Sequence, residues 1–174
     1  MTLITAFAQP GTRPEDGLLS ALGDAASSIY VSSLTRNSVF FLDMKTMVDL
    51  VLAKAGGEKI VRLRIHDHGN SDGPCIGTDR ITVKNFEKYV EPLAKLARGL
   101  HKSGSVQFRN CQVGRNENLL QMLAQILDVA VYAATGTVNG FGMVFNGSWT
   151  RCSPSGTIYR NAFLPGESDY AFTN

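Results

Sequence analysis

The sequence predicts an α/β domain of three layers with a mainly parallel central sheet, finished by a β-rich C-terminal segment. Three observations favour this fold class. Over residues 38–134, β-rich runs alternate with amphipathic helical stretches, which is the pattern of strand–helix–strand crossovers. The run 129–134 is short and continuously apolar, as strands of a parallel sheet are. Beyond Thr135 the alternation stops and glycines punctuate short runs.

The first part of the chain supplies strands and two helices. Residues 2–8 form the first predicted strand, and a helix over 15–27 follows a loop broken by proline and glycine. Two β-rich runs, 28–33 and 38–42, then form a hairpin or one strand and its extension. Asp43 caps a predicted helix over 44–55, and Gly56-Gly57 ends it.

Two further strands carry the functional prediction. The strand 59–68 ends just before Gly69, and the strand 105–111 ends at the cysteine. Between them an amphipathic helix runs from Thr82 to Leu100, in which Pro92 predicts a kink or a break.

The last predicted elements are a helix, a strand and a hairpin. Asn116 or Asn118 opens a Leu-rich helix, and the strand 129–134 follows it. A hairpin turn at 153–156 joins two short strands.

Composition sets the broad class of the protein. A length of 174 residues fits one domain, residues 1–174, with a substantial core. Hydrophobic residues make up 44% and charged residues 18%, as in soluble globular proteins. The net charge of +2, without runs of basic residues, gives no indication of nucleic-acid binding. No stretch has the length of a membrane span, and nothing indicates the oligomeric state or a cofactor.

Cysteine usage and the N-terminus predict the compartment. The first ten residues lack the basic region and apolar length of a signal peptide. Three cysteines leave at least one unpaired, which is simplest in the reducing cytoplasm. A protein exported without a cleaved signal would have the same features.

His68 and Cys111 each follow a predicted strand. Ligands of open α/β sheets bind outside the carboxyl ends of the strands, so these residues are expected to be neighbours. A catalytic thiolate needs a base, oxyanion donors and partial exposure. Cys111 precedes a loop and a predicted helix N-terminus, which would supply N–H donors and a favourable dipole. Taken alone, Cys111 is also explained as a small core side chain.

These motifs resemble those of the caspase-like cysteine peptidases, the group of caspases, gingipains, legumain and separase. Residues 61–139 are most similar to the bacterial caspase-like domains of large surface and adhesin proteins. One hydrophobic strand ends in His-Gly with a second glycine at Gly73, and another ends in Cys111. The Gly147-Ser148-Trp149 hairpin is a looser likeness, and the first sixty residues fit only in the order of their elements.

The resemblance implies a cysteine endopeptidase with a Cys–His dyad acting on peptide or protein substrates. Cys111 would be the nucleophile and His68 the general acid/base. The N–H groups of Gly69 and Cys111 would form the oxyanion hole. His68 is preferred to His66 because Gly69 follows it. Caspases carry a cleavable linker after the helix that follows the nucleophile, but 127–129 leaves no room for one, so a single uncut chain is expected.

Two arginines are candidates for substrate recognition. Strand alternation places Arg109 on the same side as Cys111, and in caspases the residue two before the nucleophile lines the pocket for the residue preceding the scissile bond. A guanidinium there would match an acidic side chain. Arg13 is the second candidate, because caspases place a specificity arginine in a similar loop. Pairing of Arg109 with an internal acid is the alternative.

Two other functions remain open from the sequence. A caspase-like domain that has lost productive geometry would be a binding module that recognises a partner through the same cleft. His66, Asp67 and His68, with Cys75 nearby, also resemble a metal site, which would make the protein a metal-dependent hydrolase. The spacing lacks the further ligands that would make a metal site specific.

Overall fold

A computed structural model of the chain describes residues 1–9, 37–140 and 142–165. The described strands are β1 (Thr2–Ala8), β2 (Ser38–Phe41), β3 (Ile60–His66), β4 (Gly69–Asn70), β5 (Gly73–Ile76), β6 (Asp79–Arg80), β7 (Leu100–Arg109), β8 (Ala130–Ala134), β9 (Thr137–Val138), β10 (Val144–Phe145), β11 (Trp149–Cys152) and β12 (Ile158–Tyr159). The described helices are α1 (Met44–Ala55), α2 (Val90–Ala97) and α3 (Glu117–Leu127), with 3₁₀ turns at Val83–Tyr89 and Val113–Arg115.

Seven of these strands form one sheet in the order β12-β11-β8-β7-β3-β1-β2. The pairs β2–β1, β1–β3, β3–β7 and β7–β8 are parallel, whereas β11 pairs antiparallel with both β8 and β12. The carboxyl ends of β1, β3 and β7 therefore lie side by side at one edge. The predicted fold class, an α/β domain with a mainly parallel sheet and a β-rich C-terminal segment, is confirmed.

The three described helices pack on one face of this sheet. Their buried side chains join those of the strands in a single apolar core. Large members of this core that are almost wholly buried include Ile4, Phe41, Met47, Leu63, Leu93, Phe108 and Leu123. Burial of each such side chain stabilises the fold by about 1.5–3 kcal/mol. The helix predicted over 15–27 and the β-rich run 28–33 lie outside the described residues.

The helix α1 has the predicted bounds and caps. The Asp43 carboxylate accepts the N–H of Thr46 at 2.7 Å, and the Thr46 hydroxyl accepts the N–H of Asp43 at 3.0 Å. This reciprocal arrangement satisfies amide groups that the first helical turn leaves without partners. Gly56 follows the helix in the left-handed conformation, with φ of 58°.

The helix predicted between Thr82 and Leu100, with a kink or a break at Pro92, differs from the structure in two respects. A 3₁₀ turn over Val83–Tyr89 precedes α2, so Pro92 falls in the first turn of α2, where a missing N–H costs nothing. Leu100 belongs to β7, because the chain leaves the helix at Gly99, whose carbonyl accepts the N–H of Ile60 at 2.9 Å. The spacing of the leucines predicts that the helix continues, but pairing with β3 places Leu100 in the sheet.

The two strands that carry the functional prediction also end earlier than predicted. β3 stops at His66 instead of residue 68, and β7 runs over Leu100–Arg109 instead of 105–111. His68 and Cys111 therefore lie in the segments that follow the strands. No helix in the described part of the chain combines the length and apolarity needed to cross a membrane.

Candidate active site

The segments that carry His68 and Cys111 leave neighbouring strands at the same edge. His66 of β3 is paired with Arg109 of β7, and His68 and Cys111 each lie two residues beyond this pair. His68 is exposed and Cys111 is half-buried. Because β3 and β7 are parallel, both residues lie at the carboxyl edge of the sheet, where the sequence predicts them.

Gly69 permits the two segments to touch. A Cβ atom at this position would lie 2.9 Å from Cβ of Asn110, 2.9 Å from Cγ2 of Val113 and 3.1 Å from the carbonyl oxygen of Cys111. Side chains almost never tolerate such distances, so only glycine allows this approach. Gly69, the residue after His68, therefore packs directly against Asn110, Val113 and the carbonyl of Cys111.

Asn110 links the same two segments by hydrogen bonds. Its side chain is fully buried, and its Nδ2 group donates to the carbonyl of His68 at 2.7 Å and to the carbonyl of Cys75 at 3.1 Å. The His68 carbonyl also accepts the N–H of Cys75 at 3.0 Å. The backbone of His68 is thus held both to the β7 segment and to β5.

Asp67 organises the turn that contains His68. Its carboxylate accepts the N–H of His68 at 2.6 Å and the N–H of Gly77 at 2.6 Å. Charge-assisted bonds of this kind are stronger than those between neutral groups. Asp67 therefore positions the backbone of the turn.

The sulfur atom of Cys111 contacts the backbone of β9. Sγ accepts the N–H of Val138 at 3.3 Å and donates to the carbonyl of Val138 at 3.7 Å. The next residue, Gln112, is left-handed with φ of 61°, and its N–H donates to the carbonyl of Gly136 at 2.9 Å. A non-glycine residue in this conformation is strained, and such strain is concentrated at functional sites.

The helix after Cys111 opens at Asn116, one of the two predicted starts, and so begins some distance from the sulfur. A 3₁₀ turn over Val113–Arg115 intervenes, and α3 starts at Glu117 with Asn116 as its cap. The field of a helix end acts only within its terminal turn. The amide that reaches the sulfur therefore comes from Val138 and not from a helix N-terminus.

Arg109 lies on the other face of the sheet from the apolar core, with 4% of its surface exposed. Its Nη1 group donates to the carbonyl of Gly142 at 3.1 Å, and its guanidinium carbon lies 5.6 Å from the centre of the Trp149 ring. A further bond of 3.5 Å joins Nη2 to the side-chain oxygen of Gln107. Arg109 thus contacts the same 137–145 segment that contacts Cys111.

His66 and His68 occupy different environments although they are two residues apart. His66 is buried and its ring stacks on Phe7, with 4.8 Å between the centroids. Burial, reinforced by the nearby Arg109 and Arg64 guanidinium groups, holds the pKa of His66 well below its usual value of 6.5. His66 is therefore neutral at neutral pH, whereas His68 is exposed.

The remaining predicted site residues have simpler outcomes. Arg13 lies outside the described residues. The metal alternative finds no support, because the described ranges contain no group of three or more His, Cys, Asp or Glu side chains placed to hold an ion. Cys75, which that alternative required nearby, is buried beneath the Asn110 amide.

Two residues of the site, Asn110 and Val138, were not predicted from the sequence. Asn110 lies directly before Cys111, and a polar residue at a buried strand end is the signal that points to it. Val138 takes part through its backbone alone, which no side-chain pattern reveals.

The fold and this geometry define an α/β domain in which a cysteine and a histidine follow neighbouring parallel strands. Residues 24–168 match the model of a family described as a domain of unknown function (DUF4347), and the chain belongs to that family. A search of curated proteins found no match.

A comparison with solved structures found a protease that is similar to the chain. It is a secreted C11 cysteine protease from Bacteroides thetaiotaomicron, in complex with an irreversible peptide inhibitor. The alignment has 10% identity and a TM-score of 0.45, and it covers 85% of this chain. It spans about half, 51%, of the protease. At this level the likeness carries no information about activity, so function is inferred from the residues of the chain itself.

Proposed function

We propose that the protein is a cysteine endopeptidase in which Cys111 is the nucleophile and His68 the general acid/base. The observation that supports this most directly is the contact at Gly69, which brings the residue after the exposed His68 against the carbonyl of the half-buried Cys111. A thiolate is a competent nucleophile when a histidine lies within reach.

In the proposed reaction, the Cys111 sulfur attacks the scissile carbonyl carbon. His68 takes the thiol proton as the sulfur–carbon bond forms, and it passes this proton to the leaving amine when the carbon–nitrogen bond breaks. Water hydrolyses the resulting thioester and restores the thiol. The N–H groups of Gly69 and Cys111 are the proposed donors to the oxyanion. His66 is unsuited to the role of His68, because it is buried and held neutral by its arginine neighbours.

A thiol-directed peptide probe that forms an irreversible thioether tests the dyad. The wild-type protein is expected to be labelled, and Cys111→Ala is expected to abolish labelling. His68→Ala is expected to slow it by about 10²-fold or more, the usual contribution of a general acid/base. His101→Ala is the matched control, since His101 lies at the start of β7, at the opposite edge of the sheet. Equal labelling of the His68 and His101 variants would contradict the assignment.

Recognition of an acidic side chain before the scissile bond is the second part of the proposal. The guanidinium of Arg109 now contacts the carbonyl of Gly142, so a substrate carboxylate would take the place of this carbonyl. Acidic peptides are expected to react about tenfold or more faster than their amide counterparts, and Arg109→Gln to remove this difference. Arg115→Gln is the control, since Arg115 is exposed and bonds the carbonyl of Thr135. A preference for basic peptides would overturn the assignment.

The contacts of the Cys111 sulfur with Val138 favour a second candidate function, a binding module that uses the same cleft without chemistry. A folded wild-type protein that no peptide probe labels between pH 5 and pH 9 would favour the module.

A further inference from the structure

Asn110 lies between the two segments that carry the proposed dyad. It is fully buried, and both hydrogen bonds from its Nδ2 group reach backbone carbonyls of other segments, those of His68 and Cys75. It is also the residue directly before Cys111. A displacement of the Asn110 side chain therefore moves the backbone of His68 relative to that of Cys111.

The amide group of Asn110 is satisfied on one side only. Its Oδ1 atom is buried, with no hydrogen-bond partner among the described residues. A buried acceptor without a partner costs free energy, whereas an apolar side chain here would avoid that cost. The hydrogen bonds that Nδ2 donates are therefore what asparagine contributes at this position, and one of them holds the carbonyl of His68.

We propose that Asn110 is a positioning residue that fixes the placement of His68 relative to Cys111, an inference that rests on the proposed peptidase function. Asn110 contacts neither reacting group through its side chain. It acts by anchoring the carbonyl of His68 at 2.7 Å while its own backbone continues directly into Cys111. Small errors in such placement are expensive in rate, because catalysis depends on the alignment of the reacting groups.

The chain contains a matched control in Asn116. Its Nδ2 group also donates to two backbone carbonyls, those of Ser71 at 3.2 Å and Asp72 at 3.1 Å, in the turn just beyond Gly69. Its Oδ1 atom accepts the N–H of Leu119 as the cap of α3, a role that serine or aspartate also performs. Asn116 therefore holds the residues that follow Gly69 by two hydrogen bonds of the same kind, and neither bond reaches His68.

The experiment compares Asn110→Ser with Asn116→Ser, using the irreversible peptide probe on the full chain. For Asn110→Ser, the maximal inactivation rate is expected to fall about 10- to 100-fold with little change in the probe concentration for half-maximal rate. For Asn116→Ser, both constants are expected to stay near the wild-type values. Denaturation midpoints measured on both variants separate loss of stability from loss of positioning.

Each other outcome overturns the proposal. A folded Asn110→Ser protein that labels at the wild-type rate, or one that slows no more than Asn116→Ser, makes Asn110 structural only. If Asn110→Ser does not fold, Asn110→Asp and Asn116→Asp are compared in the same way. Failure of both Asn110 variants to fold, with folded Asn116 variants, assigns Asn110 to the fold itself. If wild-type labelling does not depend on Cys111 and His68, the peptidase proposal fails first, and there is no dyad to position.

Discussion

The two faces of the central sheet differ in chemistry although the same strands build both. On one face, residues such as Ile65, Val106 and Phe108 pack beneath the helices in an apolar core. On the other face, their strand neighbours include His66 and Arg109, which are polar or charged and are also buried.

This contrast indicates what each face contributes. Apolar burial stabilises a fold, whereas burial of charged groups costs desolvation and is weak evidence of stability. Stability alone therefore does not explain His66 and Arg109, which end β3 and β7 just before the segments of the candidate site. Because successive side chains of a strand point to opposite faces, one short segment places apolar side chains in the core and polar ones on the other face.

Adjacent residues of β7 provide the most direct test of this difference. Phe108 points into the apolar core, and Gln107 is buried on the other face, where its amide donates to the carbonyl of Pro165 at 3.1 Å. Phe108→Ala is expected to lower the free energy of unfolding by about 3–5 kcal/mol. Gln107→Ala is expected to cost about 1–3 kcal/mol, the cost of lost hydrogen bonds. Equal costs in urea unfolding would break the contrast between the faces.

A smaller effect is expected from the pH dependence of the polar face. The pKa of His66 is lowered in the folded protein by burial, by Arg109 and by Arg64, so protonation favours the unfolded state. The stability contributed by neutral His66 is therefore complete above about pH 6.5 and lost as the pH falls below it. The slope reaches at most about 1.4 kcal/mol per pH unit.

Urea unfolding measured from pH 7.5 to pH 5 checks this slope. His66→Gln, which is neutral at every pH, is expected to flatten the curve, while His101→Gln leaves it unchanged. A slope that survives in His66→Gln would show that other groups on this face carry the pH dependence.

Most of the architecture followed from sequence pattern, and the exceptions have physical causes. The helix over 44–55 was predicted to the residue because Asp43 and Gly56 mark its ends chemically. Leu100 was misassigned because a leucine at helical spacing from the preceding ones also suits the buried start of a strand. The strand predicted over 105–111 starts five residues after the observed start at Leu100 and ends two residues after Arg109, where pairing with β3 stops.

The site was predictable to a lesser degree. The sequence places His68 and Cys111 at matching strand ends, and the structure brings together the segments that carry them. The sequence does not reveal Asn110, whose importance depends on which backbone carbonyls lie near its amide, or Val138, which contacts the sulfur through its backbone. The roles assigned to Cys111, His68, Gly69 and Arg109 stay predictions that the labelling experiments test.

The contact at Gly69 also links the choice of residue at three positions. The space that a side chain at 69 would need is filled by Val113 and by Asn110. A side chain at 69 would still meet Cβ of Asn110 and the carbonyl oxygen of Cys111 after Val113 were made smaller, so the free energies of substitutions at 69 and 113 would not add. An engineer who wishes to reshape the turn after His68 therefore has to keep Gly69 or to move the backbone that carries Asn110 and Cys111.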